Sequence, residues 1–249
     1  MSRRTAQPTS TPSAKRCRSR SRFLAARAVR VSIQALLPAL ILSGMRQLPA
    51  QMASLKAGQW QCGVGKTLRG RTIGLYGYGR IARTVAGYAR AFGMEVVWWA
   101  SEEGRARAGA DNEQVATSRD AFFAGCDVIS LHVRLKPGTR GIITAQDFAR
   151  MRPDALFVNT SRAGLIAPGA LLEALNAGRP GRAAIDVFDT EPLTDPADPL
   201  LSHPNLIATP HIGFVTEDEY DLQFADIFDQ IVAFAEGAPI HMVNPEARS

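Results

Sequence analysis

The hydrophobic pattern of residues 71–237 alternates two kinds of segment. Short runs that are apolar throughout fit strands, and longer runs with apolar residues three or four positions apart fit helices. The predicted strands cover 71–76, 95–99, 127–133, 155–160, 183–188 and 206–210. The predicted helices cover 79–92, 118–125, 144–151, 167–179 and 217–237. Because strands that are apolar on both sides need cover on both faces, this order predicts an α/β fold with a doubly wound parallel sheet.

Local signals mark the ends and the inward sides of these helices. Thr144 is a cap for the helix at 144–151, and Pro168 suits the first turn of the helix at 167–179. The helix at 217–237 has an acidic first turn, which complements its dipole. The inward side of the helix predicted at 79–92 consists of Ile81, Val85, Tyr88, Ala89 and Phe92.

A long flanking helix is predicted upstream, from about Ile33 to Trp60. Its apolar residues recur at helical spacing: Leu36, Leu37, Leu40, Ile41, Met45, Leu48, Met52 and Leu55. Pro38 near its start and Pro49 inside it would restrict or kink the helix. The uncharged stretch 31–45 is shorter than the roughly 20 apolar residues that a membrane span needs, so a buried helix is the better interpretation.

The formal net charge of +6 is unevenly distributed along the 249 residues. Residues 1–70 carry 13 Lys and Arg and no Asp or Glu, whereas the remaining residues carry 16 basic and 23 acidic side chains, a net charge of −7. The basic character therefore belongs to the N-terminus, and it gives little support for nucleic acid binding by the folded part. The hydrophobic composition of 46% is enough for one domain with a full core.

A basic segment, residues 1–32, is rich in Arg, Ser, Thr and Pro. Such a composition cannot bury enough apolar surface to offset the entropy of ordering, so we expect disorder. Three interpretations stay open: a targeting peptide, a basic arm for nucleic acid, or a leader without function. The widely spaced cysteines Cys17, Cys62 and Cys126 form no metal motif and fit a reducing, cytoplasmic compartment.

A glycine-rich turn lies between the strand at 71–76 and the helix after it. Gly77, Gly79, Arg80 and Ile81, followed by Ala82, fit the pattern G-x-G-x-x-G/A. In this pattern the first glycine allows a tight turn, the second lets the backbone approach a pyrophosphate, and a small third residue lets the helix pack on the strand. The helix N-terminus then offers amide groups to the phosphates. The context of strand, turn and helix favours a dinucleotide site over a turn without a ligand.

The residue expected to hold the adenosine ribose is missing from this pattern. An Asp or Glu at the end of the second strand would bond the ribose hydroxyls and repel a 2′-phosphate, but this position is Ala100. Ser101, Arg105 and Arg107 are close enough in sequence to accept a 2′-phosphate. Two acidic residues favour the opposite choice: Glu102 and Glu103. The sequence therefore predicts NAD(P) as the cofactor and leaves NAD against NADP open.

Four downstream segments follow the glycine-rich turn in a fixed order. They are 127–143, "DVISLHVRLKPGTRGII"; 155–166, "ALFVNTSRAGLI"; 183–193, "AAIDVFDTEPL"; and 205–214, "NLIATPHIGF". Together they resemble the D-isomer-specific 2-hydroxyacid dehydrogenase family, which includes phosphoglycerate dehydrogenases and glyoxylate/hydroxypyruvate reductases. The resemblance extends over roughly residues 35–245, and it implies a Rossmann-type NAD(P)-binding domain.

The resemblance implies three catalytic residues, each at the carboxyl end of a predicted strand. Arg162 matches the arginine of the family's N-T-S-R motif, Glu191 the glutamate of its E-P motif, and His211 the histidine of its T-P-H motif. Arg162 would hold the substrate carboxylate and its C2 oxygen. His211 would exchange a proton with the hydroxyl group, and Glu191 would stabilise the protonated imidazole and fix its orientation.

The resemblance also implies further residues of the cofactor site. Asp186 matches the family residue that contacts the nicotinamide carboxamide. Thr160 and Gly213 would line the same cleft, and Thr139 would lie near the phosphates. No metal site is implied. The strands would all end at the edge where doubly wound folds bind ligands.

The sequence departs from the family pattern in its N-terminal part. The family has a first domain that closes over the substrate, and few residues precede the first predicted helix here. We therefore expect the substrate domain to be largely absent, with a division into a segment 1–32 and an NAD(P)-binding domain 33–249 that includes the flanking helices. The exposed apolar faces would then favour the homodimer that is common in this family.

The leading hypothesis is an oxidoreductase that transfers a hydride between the cofactor and a small 2-oxo or 2-hydroxy acid in the cytoplasm, without nucleic acid or membrane partners. Two alternatives remain open. One is a nicotinamide-binding module without catalysis, and the other is an inactive fragment of such an enzyme.

Overall fold

Six parallel strands form the centre of this computed structural model, which describes residues 35–242. The strands are β1 Thr72–Tyr76, β2 Glu95–Trp99, β3 Val128–Leu131, β4 Leu156–Asn159, β5 Arg182–Ile185 and β6 Leu206–Ala208. Their order across the sheet is β2-β1-β3-β4-β5-β6, and every neighbouring pair is parallel. The predicted doubly wound parallel sheet is confirmed, and each predicted strand overlaps an observed one.

Eight helices accompany the sheet in the described part of the chain. They are α1 over 35–46, α2 Leu48–Lys56, α3 Arg80–Ala91, α4 Glu102–Ala110, α5 Arg119–Gly125, α6 Ala145–Arg150, α7 Ala170–Asn176 and α8 Glu217–Ala235. The described residues divide into two units, 35–215 and 216–242, and α8 belongs to the second. The predicted basic segment 1–32 lies outside the described residues. None of the helices within 35–242 combines the length and the apolar character needed to cross a bilayer.

Two hydrophobic clusters cover the two faces of the sheet. Successive residues of a strand point to opposite faces. Thus Val128 packs in the cluster with α1 and α3, and its neighbour Ile129 packs in the cluster with α5, α6 and α7. Leu156 and Phe157 divide in the same way. This double cover explains why the strands are apolar throughout rather than alternating.

The single helix predicted between Ile33 and Trp60 is wrong, because the chain forms two helices there. Gln47 adopts a left-handed backbone conformation, with φ at 55°, and α2 starts directly after it. Pro49 lies in the first turn of α2, where its missing N–H group costs no helical hydrogen bond. The apolar side of the predicted helix divides accordingly, since the α1 residues are mostly buried while Leu48, Met52 and Leu55 are exposed.

Helix α4 is a further difference, because the hydrophobic pattern does not predict it. Its buried residues are Gly104 and Ala108, which carry too little apolar surface to produce a visible helical period. Ser101 caps it by accepting a hydrogen bond from the Gly104 amide at 3.3 Å. Small residues therefore let α4 lie close to the sheet without a hydrophobic stripe.

One prediction on the other helices also needs correction. In α3 the buried residues include Ala82 and Ala86, whereas Tyr88 and Phe92 are exposed, contrary to the predicted inward side. Helix α7 begins after Gly169, so Pro168 lies just before the helix, near its first turn as expected. Two predicted features of helix starts are observed. Thr144 caps α6, and α8 begins with the expected acidic turn.

A buried ion pair ties three elements together on one face of the sheet. Arg119 of α5 bonds both carboxylate oxygens of Asp147 in α6, at 2.7 Å and 2.8 Å, and also donates to the Tyr76 hydroxyl of β1 at 2.7 Å. The Asp147 side chain is only 5% exposed. Burial by itself raises the pKa of this carboxyl, but the hydrogen bonds from Arg119 and Thr144 outweigh it and hold the pKa below its ordinary value of 3.8.

We expect Asp147→Asn to lower the free energy of unfolding by about 3 kcal/mol, because it leaves the Arg119 guanidinium without its counter-charge. The loss should be complete above the ordinary Asp pKa of 3.8. It should shrink as the pH falls below that value, because the carboxyl of the unfolded wild-type chain then takes up a proton, and it should vanish once the native carboxyl, with its lowered pKa, is protonated too. Urea unfolding at a series of pH values measures both effects.

The matched control is Asp120→Asn in α5, the helix that also carries Arg119. Asp120 pairs with Arg150 at 2.8 Å, but its side chain is 64% exposed, so its removal should cost less than about 1 kcal/mol. Equal losses in the two variants would contradict the role assigned to the buried pair.

Candidate functional site

The glycine-rich turn follows β1 directly and has two glycines with different surroundings. Gly77 has φ at +118°, and a Cβ atom added to it would lie 2.6 Å from the carbonyl oxygen of His132. Gly79 has φ at −108° and begins α3, and a Cβ atom there would meet no atom within 4 Å. The first glycine is therefore required by the fold itself, while the second leaves open space in front of the backbone.

The N-terminus of α3 faces this open space with free donors. Gly79 provides no side-chain cap, and the first turn, which includes Arg80 and Ile81, contains no acidic residue. The first amides of a helix have no partner within the helix and carry a partial positive charge. The turn thus has the shape and the polarity to hold the phosphates of a dinucleotide.

The end of β2 lies beside this turn, because the Gly77 amide donates to the carbonyl oxygen of Trp99 at 2.7 Å. Ala100 comes next and is 8% exposed, and Ser101 is occupied as the cap of α4. The Arg105 guanidinium lies over the Trp99 ring, with 4.4 Å between its central carbon and the ring centroid. It also donates to the carbonyl oxygen of Ala100 at 3.1 Å.

The carboxyl ends of β4, β5 and β6 carry four of the predicted catalytic and cofactor-site residues. Thr160 and Arg162 follow β4, Asp186 follows β5, and His211 follows β6. Because parallel strands end at one edge of a sheet, these residues share the edge of the glycine-rich turn. Thr160 is buried and Arg162 is exposed. The buried Asn159 amide, which the sequence reasoning missed, supports this turn by donating to the Arg162 carbonyl oxygen at 3.0 Å.

His211 and Glu191 form a hydrogen-bonded pair. The Nδ1 atom of His211 lies 2.7 Å from Oε2 of Glu191, and Oε1 of Glu191 accepts from the Phe188 amide at 2.9 Å. Both side chains are about one third exposed, at 31% and 34%. In the described part of the chain no side chain bonds Nε2 of His211, so this nitrogen can reach a ligand. Together the two contacts fix the imidazole while leaving one nitrogen available.

Glu191 is held in its charged form by these neighbours. Partial burial raises the pKa of the carboxyl, but the Phe188 amide, the His211 ring and the charge of Arg162 together lower it more. The net result is a pKa below the ordinary value.

Asp186 organises the loop that carries His211. Its carboxylate is buried, at 1% exposure. One oxygen accepts from the Thr209 hydroxyl at 2.6 Å and from the Ile212 amide at 2.9 Å, and the other accepts from the Gly213 amide at 2.8 Å. His211 lies inside this loop with a left-handed φ of 53°. The structure thus joins Asp186 and Gly213 by a hydrogen bond and adds Thr209, which the sequence reasoning did not include.

Thr139 has a local role in its own loop. Its hydroxyl accepts from the Lys136 amide at 2.8 Å and donates to the Arg134 carbonyl oxygen at 2.7 Å. These bonds close the turn at 134–139, so the hydroxyl is already engaged by its neighbours.

A cavity of about 210 Å³ opens beside the His211–Glu191 pair. Its walls are Phe188, Glu191, Pro192, Leu193, Leu201, Ala208, Thr209, Pro210 and His211. A second cavity, of about 260 Å³, shares Phe188 and Leu193 with the first, but His211 does not line it. Arg162 lines neither of these two cavities. A small molecule in the first cavity would therefore contact the histidine.

A family model matches residues 38–213, which is well over half of the chain. It describes the NAD binding domain of the D-isomer specific 2-hydroxyacid dehydrogenases. The chain belongs to this family. The resemblance inferred from the four sequence segments and the predicted NAD(P)-binding domain are both confirmed.

Individual members of the 2-hydroxyacid dehydrogenase family agree with this assignment. A D-3-phosphoglycerate dehydrogenase from Bacillus subtilis is 34% identical over 207 residues, and a hydroxypyruvate reductase from Thermotoga maritima is 39% identical over 190 residues. A solved oxidoreductase from Ralstonia solanacearum is 45% identical and superposes with a TM-score of 0.85, covering 88% of this chain and 68% of its own.

This chain matches only part of the length of those relatives. The matched region is 81% of this chain and 38% of the Bacillus protein, and 75% of this chain and 61% of the Thermotoga protein. The comparison therefore concerns the NAD-binding part of the relatives.

Gly77→Ala and Gly79→Ala should affect different properties, the first the folding stability and the second the binding of the dinucleotide. A methyl group at Gly77 collides with the His132 carbonyl oxygen and strains a positive φ, so we expect a loss of more than about 2 kcal/mol of folding free energy. A methyl group at Gly79 meets no protein atom, so stability should stay close to wild type while dinucleotide binding weakens, because the methyl group enters the space for the phosphates. Thermal unfolding and calorimetric titration with NADH and NADPH separate the two effects. Unchanged binding in a folded Gly79→Ala protein would contradict this assignment.

Asp186→Asn should loosen the His211 loop. An amide replaces one acceptor oxygen by a donor that faces another donor, at an expected cost of about 1–3 kcal/mol. Urea unfolding measures this cost. Asp189→Asn, an exposed change in the following loop, is the matched control and should stay within about 0.5 kcal/mol of wild type. Equal stability of both variants would show that the three hydrogen bonds do not hold the loop.

Proposed function

We propose that the protein is an NAD(P)-dependent oxidoreductase that interconverts a small 2-oxo acid and the corresponding 2-hydroxy acid. The observation that carries the proposal is the 2.7 Å contact between His211 and Glu191. It lies at the sheet edge that also carries Arg162 and the glycine-rich turn. A histidine with a fixed carboxylate partner and one free ring nitrogen is suited to move a proton at neutral pH.

His211 is the general acid and base in this proposal. During reduction its Nε2 atom donates a proton to the oxygen on C2 of the substrate, and during oxidation it removes that proton. Nδ1 stays hydrogen-bonded to Glu191, which selects the nitrogen that faces the substrate. The nicotinamide ring, when bound, supplies or accepts the hydride at C2.

Glu191 acts through His211. Its lowered pKa keeps it charged across the neutral range, so it stabilises the imidazolium that forms when His211 takes a proton. It also holds the ring in one orientation, because its second oxygen is fixed by the Phe188 amide.

Arg162 binds the substrate in this proposal. Its planar guanidinium can bond a carboxylate with two parallel hydrogen bonds and can also contact the C2 oxygen. Its Nη1 atom donates to the Ser161 carbonyl oxygen at 2.6 Å, and the side chain is otherwise exposed at the strand edge. A small anionic substrate would thus be held between Arg162 and His211.

The cofactor site in this proposal begins at the glycine-rich turn. Gly77, Gly79, Arg80 and Ile81 would hold the phosphates through the free amides of α3. Further residues of the proposed site are Ser101, Thr139, Thr160, Asp186 and Gly213. For Asp186 the support is indirect, because its carboxylate already bonds the His211 loop.

The cellular setting is part of the same proposal. We place the protein in the cytoplasm as a homodimer, with a small acid as its substrate and without nucleic acid or membrane partners. Cys62 and Cys126, the cysteines in the described part, are both free, which fits a reducing compartment. The folded domain is proposed to extend over 33–249.

The test follows the loss of NADH or NADPH absorbance with glyoxylate, hydroxypyruvate, pyruvate and phenylpyruvate as substrates. Two relatives are named for phosphoglycerate and hydroxypyruvate, so D-3-phosphoglycerate is tested in the oxidative direction. We expect turnover with at least one acid, and His211→Ala should lower kcat by about 10²-fold or more. Glu191→Gln should lower it less and change its pH profile.

His203→Ala is the matched control for the histidine. Among residues 35–242, the His203 ring bonds only the Asn205 amide in its own loop, so its removal should leave kcat within about twofold of wild type. Wild-type turnover in His211→Ala would contradict the proposal. A folded chain that binds NADPH or NADH but reduces none of these acids would favour the non-catalytic module instead.

A further inference from the structure

The end of β2 lacks the acid that usually selects NAD. Ala100 occupies that position and is buried against α4, since a Cβ atom added to Gly104 would lie 2.7 Å from the Ala100 methyl group. An Asp or Glu here would bond the ribose 2′-hydroxyl and repel a phosphate. With a methyl group, neither effect exists at this position.

Arg105 places a positive charge beside the same position. Its guanidinium lies 4.4 Å from the Trp99 ring centroid and donates from Nη1 to the Ala100 carbonyl oxygen at 3.1 Å. Stacking on an aromatic face orients the planar fork. One of its five N–H groups is used by Ala100, and within 35–242 no carboxylate forms an ion pair with it. The guanidinium is therefore held in place with most of its donors free.

Three other arginines of α3 and α4 are arranged differently. Arg90 bonds Glu113, and Arg83 lies 3.8 Å from the carboxylate of Asp111. Arg107, two residues after Arg105, lies over the Tyr78 ring, with 5.9 Å between its central carbon and the ring centroid. Of these arginines, Arg105 is the one that contacts the end of β2.

The strand end that Arg105 contacts lies next to the glycine-rich turn. The Gly77 amide bonds the Trp99 carbonyl oxygen at 2.7 Å, so the turn and the end of β2 are directly adjacent. A dinucleotide whose pyrophosphate lies at such a turn places its adenosine ribose at the end of the second strand. The 2′-position of the ribose then falls beside Ala100 and its hydrogen-bonded Arg105.

We propose that Arg105, held by the Trp99 ring and the Ala100 carbonyl, binds the 2′-phosphate of NADP(H) and makes the protein select NADP(H) over NAD(H). This rests on the proposed function, because it assumes the dinucleotide site at Gly77 and Gly79. A guanidinium bonds a phosphate dianion with two charge-assisted hydrogen bonds, whereas a neutral hydroxyl accepts only a single weaker one. The competing acids are Glu102 and Glu103, exposed in the first turn of α4, and they would bond a ribose diol instead.

The test is calorimetric titration of the 249-residue chain with NADPH, NADH, adenosine 2′,5′-bisphosphate and 5′-AMP. We expect NADPH to bind at least about tenfold more tightly than NADH, and the bisphosphate more tightly than AMP by a similar factor. Arg105→Gln should remove most of the advantage of NADPH and leave the affinity for NADH within about twofold, because only the phosphate contact is lost. Arg105→Lys should be intermediate, since it keeps the charge without the planar fork.

Two further variants test whether the effect is specific to Arg105 and to the missing acid. Arg107→Gln removes the same charge from the same helix, at the Tyr78 ring, and should preserve the preference for NADPH. Ala100→Asp restores the acid and should turn the preference toward NADH. Equal weakening of both dinucleotides in Arg105→Gln, or an equal effect of Arg107→Gln, would overturn the assignment of the phosphate to Arg105.

The outcomes separate this proposal from the proposed function. Tighter binding of NADH than of NADPH by the wild-type chain overturns the proposed selection of NADP(H). Turnover with NADH in that case would still support the proposed oxidoreductase activity. A preference for NADPH without any turnover supports the role of Arg105 and contradicts the catalytic proposal. No binding of either dinucleotide to the folded chain overturns both.

Discussion

Parallel pairing of strands that are covered on both faces is the constraint on which this structure depends. Because neighbouring strands run in the same direction, their carboxyl ends meet at one edge, and the register carries Tyr76, Leu131, Asn159 and Ile185 to the same level of the sheet. Each functional loop begins just beyond that level. Residues far apart in sequence, such as Gly77 and His211, are thus brought to one edge by backbone pairing before any side chain contributes.

Much of this architecture could be predicted from the sequence, because buried parallel strands leave an unmistakable apolar signal. The glycine-rich turn was predictable for a similar reason, since Gly77 is fixed by a close backbone contact that only glycine permits. Helix α4 was not predictable, because its buried side consists of Gly104 and Ala108. The break between α1 and α2 depends on the left-handed Gln47, a conformation that hydrophobic spacing does not report.

At the candidate site the sequence predicts which residues take part, whereas the contacts that these residues make require the structure. The family motifs predicted Arg162, Glu191 and His211 by position, and the structure adds how Glu191 and His211 are held. Asp186 was expected to face a cofactor, yet its carboxylate is committed to the backbone and hydroxyl groups of the His211 loop. Such an assignment requires the tertiary structure, because Asp186 and Gly213 are brought together only by the pairing of β5 with β6.

The close approach of α4 to β2 has a consequence for how this protein can evolve. A Cβ atom added at Gly104 would lie 2.7 Å from the Ala100 methyl group, so the helix lies too close to the strand end for a side chain at position 104. A larger residue there would push α4 outward and would carry Arg105 away from the Trp99 ring. In the role proposed for Arg105, cofactor choice is therefore linked to a packing distance, and a substitution that contacts neither dinucleotide would weaken the discrimination between them.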